Sequence, residues 1–408
     1  MIASALTATR SITTFFTEIR LPTNAVAFLF FVGSTIAFLN LGVSDNQDIH
    51  DDLARAFMEG RLWVPWGSHW ELVVIDSERA WSPFPPVPAL IYIPFLALGL
   101  TPSSTTLGAF VGGAGVALML LILRHLEVPL RTAAWITLGV GAATYGWVAA
   151  SSSLWFYPEV LGTVLSLAAL YLGVQGRWPL LAGLLLGLAA GSRLPTGFML
   201  PLLAWFYWPQ RWRIGQLLIG LTAVAIPLAL YNFVRFGSPF EFGYGLIESF
   251  WHPGELVTAE PYFRDGIVNL AYIPRSIFAM LLQGYEVRLD FPWIAYPVSG
   301  VGVALSAPTL LLALRARGGA IVWIAWLSFV LIMLPNWAHG SWGFWQFGYR
   351  FIVDATGPLL VLLAVAYRNK GPDWLLRGTA LFGAVATLYA WAAELWWDVR
   401  AVPPAVLP

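Results

Sequence analysis

Cysteine is absent from all 408 residues. That excludes a disulfide framework, a thiol nucleophile and a thiolate metal site. Charge is nearly as scarce: Asp, Glu, Lys and Arg together make up 11% of the chain, against about 25% in an ordinary soluble domain. Too little polar surface remains to face water on all sides. The 22 basic and 22 acidic residues cancel, so no global field attracts nucleic acid. Five histidines are scattered, and no HExxH or paired-histidine pattern offers a metal site. A Walker loop, a GxSxG elbow, an inverted repeat of the transporter type and low-complexity tracts are all missing. The N-terminus, MIASALTATRSITTFFTEIRLP, lacks a compact signal-peptide pattern with a small-residue cleavage site. Its Arg10 and Arg20 precede a long apolar stretch that reads as an uncleaved first span.

What fills the chain is apolar: 58% hydrophobic residues and a mean hydropathy of +0.71. The expected fold class is an all-α polytopic membrane protein, one membrane domain over 1–408. Expected spans are 21–42, 104–124, 132–150, 155–175, 179–192, 195–209, 214–235, 292–314, 319–337, 351–367 and 375–396. The stretch 86–100 is short and begins among prolines, so it reads as an interfacial or half-membrane helix. Basic residues mark cytoplasmic loops. Arg10 and Arg20, Arg124 and Arg131, Arg177, Arg211 and Arg213, Arg315 and Arg317, and Arg368, Lys370 and Arg377 all fall on one side when these eleven spans alternate. The expectation is an N-terminus in the cytoplasm and a C-terminus outside.

The opposite side carries two long loops. The first, 43–103 with its interfacial helices, has its acids concentrated at Asp45, Asp48, Asp51, Asp52, Glu59, Glu71, Asp76 and Glu78. The second, 236–291, holds Glu241, Glu248, Glu255, Glu260, Asp265, Glu286 and Asp290. Long loops of distinctive composition usually carry function.

Asp45 and Asp48 follow the first span directly, where a carboxylate can act as general base on a substrate held by a lipid tail, or simply cap a helix. Asp51 and Asp52 suit the capping reading better. His50 between them reads as a hydrogen-bonding, substrate-side residue. Glu159 opens an otherwise uncharged span, and an ionisable group at membrane depth points to function unless it sits solvated at the interface. Trp155 beside it suits a sugar platform or an aromatic belt. Arg193 lies in the turn between two spans of only about 15 residues, which places it below the outer surface. There it fits a phosphate geometrically, or an ion pair with a loop carboxylate such as Asp45. Arg350, at the outer start of the span containing Asp354, runs against the positive-inside trend and wants a phosphate or carboxylate partner. Tyr244, in YNFVRFGSPFEFGYGL, belongs to an aromatic, glycine-rich stretch suited to sugar binding or to anchoring at the interface.

An acidic outer loop right after the first span, followed by the proline-rich WSPFPPVPALIYIPFLALG, resembles the GT-C superfamily of membrane glycosyltransferases. DDLARAFMEGRLWV, SRLPTGFMLP, YNFVRFGSPFEFGYG and WQFGYRFIVDATGPLL look like bacterial members akin to the protein O-mannosyltransferase and aminoarabinose-transferase branch. The resemblance runs from about residue 20 to 368 and rests on motif order and spacing. It implies a bacterial inner-membrane enzyme that moves a sugar from a polyprenyl-phosphate donor, without a nucleotide, to an extracytoplasmic glycan, lipid or protein. Asp45 or Asp48 would match the family's first-loop carboxylate, Glu159 its second acidic position, and Arg193 and Arg350 the donor-phosphate ligands. The usual adjacent Asp-Glu pair of the first loop is spread out here, which leaves the catalytic acid open. Some such enzymes use a divalent cation, which clustered carboxylates permit. The alternatives are a non-catalytic GT-C-like subunit of a larger complex and a lipid or sugar transporter.

Overall fold

The computed structural model describes residues 22–42, 49–69, 71–249, 254–289, 291 and 293–396. Helices dominate. α1 spans Thr23–Leu41, α2 His50–Met58, α3 Val87–Ala97 and α4 Ser104–His125. α5 (Leu130–Gly141) and α6 (Thr144–Ala150) follow, then α7 (Phe156–Val174), α8 (Pro179–Ala190), α9 (Leu200–Tyr207) and α10 (Trp212–Phe236). The remainder comprises α11 (Ile273–Leu282), α12 (Val303–Ser306), α13 (Ala320–Trp337), α14 (Thr356–Tyr367) and α15 (Trp374–Trp396).

Seven described helical stretches are long and apolar enough to cross a bilayer, or eight if α5 and α6 form one span bent by 58°. Their outward faces are hydrocarbon. α10 turns Ile219, Ile226, Leu230, Phe233 and Val234 outward, each more than half exposed. A water-facing helix would not carry such a stripe, so this is a multi-pass membrane protein.

Three expected spans take other forms. The 179–192 stretch becomes the 12-residue α8, about 18 Å long at 1.5 Å per residue and well short of a bilayer core. The 195–209 stretch is a 3-10 turn, Leu194–Met199, running into the 8-residue α9. Pro195 and Pro201 at the starts of these pieces lack the N–H groups a continuous helix would need. The 292–314 stretch is not one helix: it passes from a strand into α12 and then a 3-10 turn, Pro308–Arg315, with Pro308 at the break. The 86–100 stretch forms the 11-residue α3, too short to cross.

The chain is not wholly helical either. The segment after α2 forms a small antiparallel sheet of order β1-β3-β2, from Val64–Pro65, Val73–Val74 and Arg79–Trp81. A hairpin pairs β4 (Glu286–Val287) with β5 (Ile294–Ala295). These strands are too short to show as an alternating pattern.

Contacts gather the basic loops at one end of the bundle. Arg368 pairs with Glu127, Arg315 with Asp373 at 2.6 Å, and the Lys370 carbonyl accepts from Thr132 at 2.7 Å. His125 and Tyr171 rings, 5.6 Å apart, bring the ends of α4 and α7 to the same place. The opposite end carries α2, the three-stranded sheet, α3 and the starts of α7 and α14. α14 is buried along nearly its whole length, so it forms the axis around which the other spans pack.

Candidate functional site

At the end away from the basic loops, three stretches distant in sequence bring charge into one buried cluster. Glu159 sits in the first turn of α7, its carboxylate 1% exposed. Arg193 lies in the break between α8 and the Leu194–Met199 turn, its backbone extended at φ −148°. Arg350 and Asp354 come from the 3-10 turn that leads into α14.

Arg193 is the hub. Its Nε stands 3.2 Å from Asp354 Oδ2 and its Nη2 lies 3.4 Å from Glu159 Oε1. Nη2 also donates to Asn336 Oδ1 at 3.0 Å, and Asn336 Nδ2 donates to Asp354 Oδ2 at 2.9 Å, closing a ring of polar contacts. Arg350 Nη1 approaches Glu159 Oε2 at 3.8 Å. Both guanidinium groups lie over the Phe351 ring, at 4.7 Å and 5.0 Å, and Arg350 also covers Phe156 at 5.0 Å. Aromatic faces attract cations and exclude water, which strengthens each charge contact inside.

The cluster is not saturated. Both Glu159 oxygens, Arg350 Nε, Asp354 Oδ1 and the Tyr349 hydroxyl make no hydrogen bond to protein. Buried polar atoms normally find partners. Atoms this close to opposite charges, yet beyond hydrogen-bond geometry, suit a polar guest.

The first loop reaches the cluster through Glu71. Its Oε2 accepts from Trp155 Nε1 at 2.6 Å, immediately before α7. Burial pushes the Glu71 carboxyl up to about 7, opposed by the Trp155 bond and the charge of Arg350. A carboxyl titrating there serves as a base at neutral pH. Tyr244 lies in the fields of Arg193, Glu71 and Arg350; burial raises its phenol to about 12, so it remains a hydrogen-bond donor. Its ring packs edge-on against Phe84 at 6.1 Å.

Of the residues singled out in the sequence, Glu159, Arg193 and Arg350 converge, and Trp155 and Tyr244 flank them. Arg193 finds its ion pair with Asp354 and Glu159, and the partner that Arg350 wanted is Glu159. His50 is fully buried, with Nε2 3.1 Å from the Leu154 carbonyl and its ring against Phe84 and Tyr157. It fastens the first loop to the stretch leading into α7. Asp51 and Asp52 lie in the first turn of α2, where their charge favours the helix dipole. Asp45 and Asp48 lie outside the described residues. Glu71, Asp354 and Asn336 are the residues that sequence reasoning passed over. Asp354 carried a signal, being ionisable within a span; Glu71 was one of eight loop acids with nothing to mark it. Among the described residues no group of three His, Asp or Glu side chains could hold a metal ion.

No family model and no curated protein matches this chain. Two solved structures do. ArnT from Cupriavidus metallidurans bound to undecaprenyl phosphate matches over 93% of this chain and 66% of its own, at 14% identity and a TM-score of 0.53. The Archaeoglobus fulgidus oligosaccharyltransferase in the apo form matches over 94% of this chain and 58% of its own, at 13% identity and a TM-score of 0.41. The chain thus spans just under two thirds of the length of the ArnT structure. At such identities the likeness concerns fold, and the ArnT match extends over almost the entire chain.

Proposed function

We propose that the protein is a glycosyltransferase that moves a sugar from a polyprenyl-phosphate donor to an extracytoplasmic acceptor. The observation that carries this reading is the meeting of Glu159, Arg193, Arg350 and Asp354 in one buried, incompletely hydrogen-bonded cluster. The ArnT structure of similar fold holds undecaprenyl phosphate, and a lipid phosphate suits two guanidinium groups at membrane depth. Leu194 and Phe198, 45% and 42% exposed beside Arg193, offer an apolar approach for a prenyl tail.

In this reaction a base takes the proton of the acceptor hydroxyl, whose oxygen attacks the anomeric carbon with inversion. The bond from that carbon to the phosphate oxygen breaks, and the polyprenyl phosphate leaves with the electron pair. Arg350 and Arg193 stabilise the charge growing on that oxygen. Glu71 or one of Asp45 and Asp48 is the base, and Glu159 holds the two arginines in register. Trp155 and Tyr244 face the sugar, with His50 supporting them from behind.

On this reading the site end is extracytoplasmic and the basic end cytoplasmic. Counting α8, the 194–207 segment and the 303–315 segment with the eight longer crossings makes eleven passes, with the two long loops 43–103 and 236–291 outside. The test is transfer from a radiolabelled polyprenyl-phosphate sugar by wild type and by single Asn or Gln variants at Asp45, Asp48, Glu71 and Glu159. Loss of turnover in Glu159 and in one loop variant supports the assignment. A wild-type protein that binds no such lipid ends it, and a full set of active variants removes the mechanism.

A further inference from the structure

The basic end of the bundle carries a second feature, about 25 Å from Glu159 along α7. The turn from α7 to α8 and the turn from α9 to α10 flank an open surface hollow of about 510 Å3. Its lining includes Gly176, Arg177, Trp178, Trp212, Arg213 and Gln216.

The charge of this corner is unbalanced. Two arginines of the same end meet carboxylates, Arg315 with Asp373 and Arg368 with Glu127, and others such as Arg317 and Arg377 donate to backbone carbonyls of their own turns. Among the described residues, Arg177, Arg213 and the neighbouring Arg211 have no carboxylate partner. Arg213 donates instead to the Gly176 carbonyl and lies 5.7 Å from the Trp212 ring; Arg211 lies 5.0 Å from the Trp208 ring. Neither contact offsets a positive charge. Three guanidinium groups on two adjoining turns therefore attract an anion.

The surface beyond the hollow says what kind of anion. Trp178 and Trp212 stand 69% and 63% exposed at its rim, the position indole rings take where headgroups meet hydrocarbon. From there toward the middle of the bundle, Leu180 and Leu181 on α8 and Leu218 and Ile219 on α10 are each at least 43% exposed. Cationic hollow, indole rim and apolar track follow one another in the order of an amphiphile's parts. A soluble phosphate would use only the first.

We propose that this hollow binds one anionic phospholipid of the leaflet at the basic end. Arg177 and Arg213, which line the hollow, hold the headgroup phosphate, Arg211 on the adjoining turn adds to the positive field, and the acyl chains lie along α8 and α10. The site is separate from the charged cluster around Arg193 and does not depend on the transferase reading. It bears on that cluster through α8, which ends three residues before Arg193.

The experiment is native mass spectrometry of the full-length protein in neutral detergent. Three additives are compared: phosphatidylglycerol, phosphatidylcholine with the same acyl chains, and glycerol phosphate, which has the anion without tails. One phosphatidylglycerol is retained in preference to phosphatidylcholine. The Arg177→Gln/Arg211→Gln double variant, which leaves Arg213 to brace the Gly176 turn, weakens that retention by about thirtyfold. Arg264→Gln, at an 83% exposed arginine of the other end, leaves it unchanged. Equal retention of phosphatidylcholine overturns the proposal. So does displacement of the lipid by equimolar glycerol phosphate, or a double variant that binds like wild type.

Discussion

Arg193 and Asp354 lie 161 positions apart in the chain and meet at 3.2 Å, joining the break after α8 to the turn that begins the central α14. Neither group is matched by solvent, since Asp354 is fully buried and Arg193 only about a quarter exposed. Breaking a buried pair by removing one partner costs about 3–5 kcal/mol, because the survivor stays charged and uncompensated. Asp354→Asn should therefore cost a free energy near the smaller of those figures, Arg193 keeping Glu159 as partner, and this is read as a lowered midpoint of thermal unfolding in detergent. Arg193→Met with Asp354→Leu removes both charges and should recover most of that loss. A single variant as stable as wild type would show that the pair holds nothing together.

Arg350 tests recognition rather than stability. Its closest carboxylate approach is 3.8 Å, and its Nε makes no hydrogen bond to protein. It is thus better placed than Arg193 to receive an outside anion. A charged hydrogen bond contributes about 1.5–3 kcal/mol, so Arg350→Gln should weaken polyprenyl-phosphate binding by roughly ten- to a hundredfold. A titration with the lipid phosphate, read by the quenching of indole fluorescence, checks this. Unchanged affinity would take Arg350 out of the donor site.

Glu71 supplies the pH dependence. Its carboxyl, held near 7 by burial, is protonated below that pH and charged above it. A base works in the charged form, so the rate of sugar transfer under donor-limited conditions should rise with pH through about 7 and level off. The linkage to stability has the opposite sign. The folded state binds the proton more tightly than the unfolded chain, whose carboxyl titrates near 4.5. Stability therefore falls as pH rises from about 4.5 to 7. Glu71→Gln should abolish the rising limb of the rate profile and flatten that part of the stability curve. A limb that persists in Glu71→Gln assigns the base to Asp45 or Asp48.

The membrane class was legible in the sequence because it depends on average composition, which every segment shares. Arg193 was legible in part: 30 residues between Pro179 and Trp208 cannot build two full crossings, which singled out the turn between them, and the structure sets that turn against Glu159 and Asp354. Which carboxylate meets it was not. Asp45 and Asp354 are equally plausible partners for a guanidinium until the α8 break and the α14 turn are placed side by side. Glu71 was hidden for a related reason. Its environment comes from Trp155, 84 positions away, and no local pattern distinguishes it from Asp76, which pairs with Arg79 in an exposed turn. The 292–314 stretch misled because hydropathy averages over Pro308 and Gly302, and a window cannot register a short strand, a one-turn helix and a 3-10 turn in succession.

The last prediction concerns the space that lets Arg193 reach Glu159. Gly162 lies three residues after Glu159 on α7, and a methyl group added there would stand 2.9 Å from Arg193 Cβ and 3.3 Å from the Ala189 carbonyl. Alanine at an open helical glycine usually stabilises by about 0.5–1 kcal/mol, since glycine loses more freedom on folding. Gly378 on α15, with nothing within 4 Å of the added carbon, provides that reference. At Gly162 the overpacking term, about 1–3 kcal/mol, acts against this gain and presses on the backbone that aims the guanidinium. Gly162→Ala should thus lower the unfolding midpoint and weaken binding of the lipid phosphate, whereas Gly378→Ala should raise the midpoint slightly and leave binding alone. If the two variants behave alike, α7 does not pack against the Arg193 turn as closely as described, and the geometry of the charged cluster loses its support.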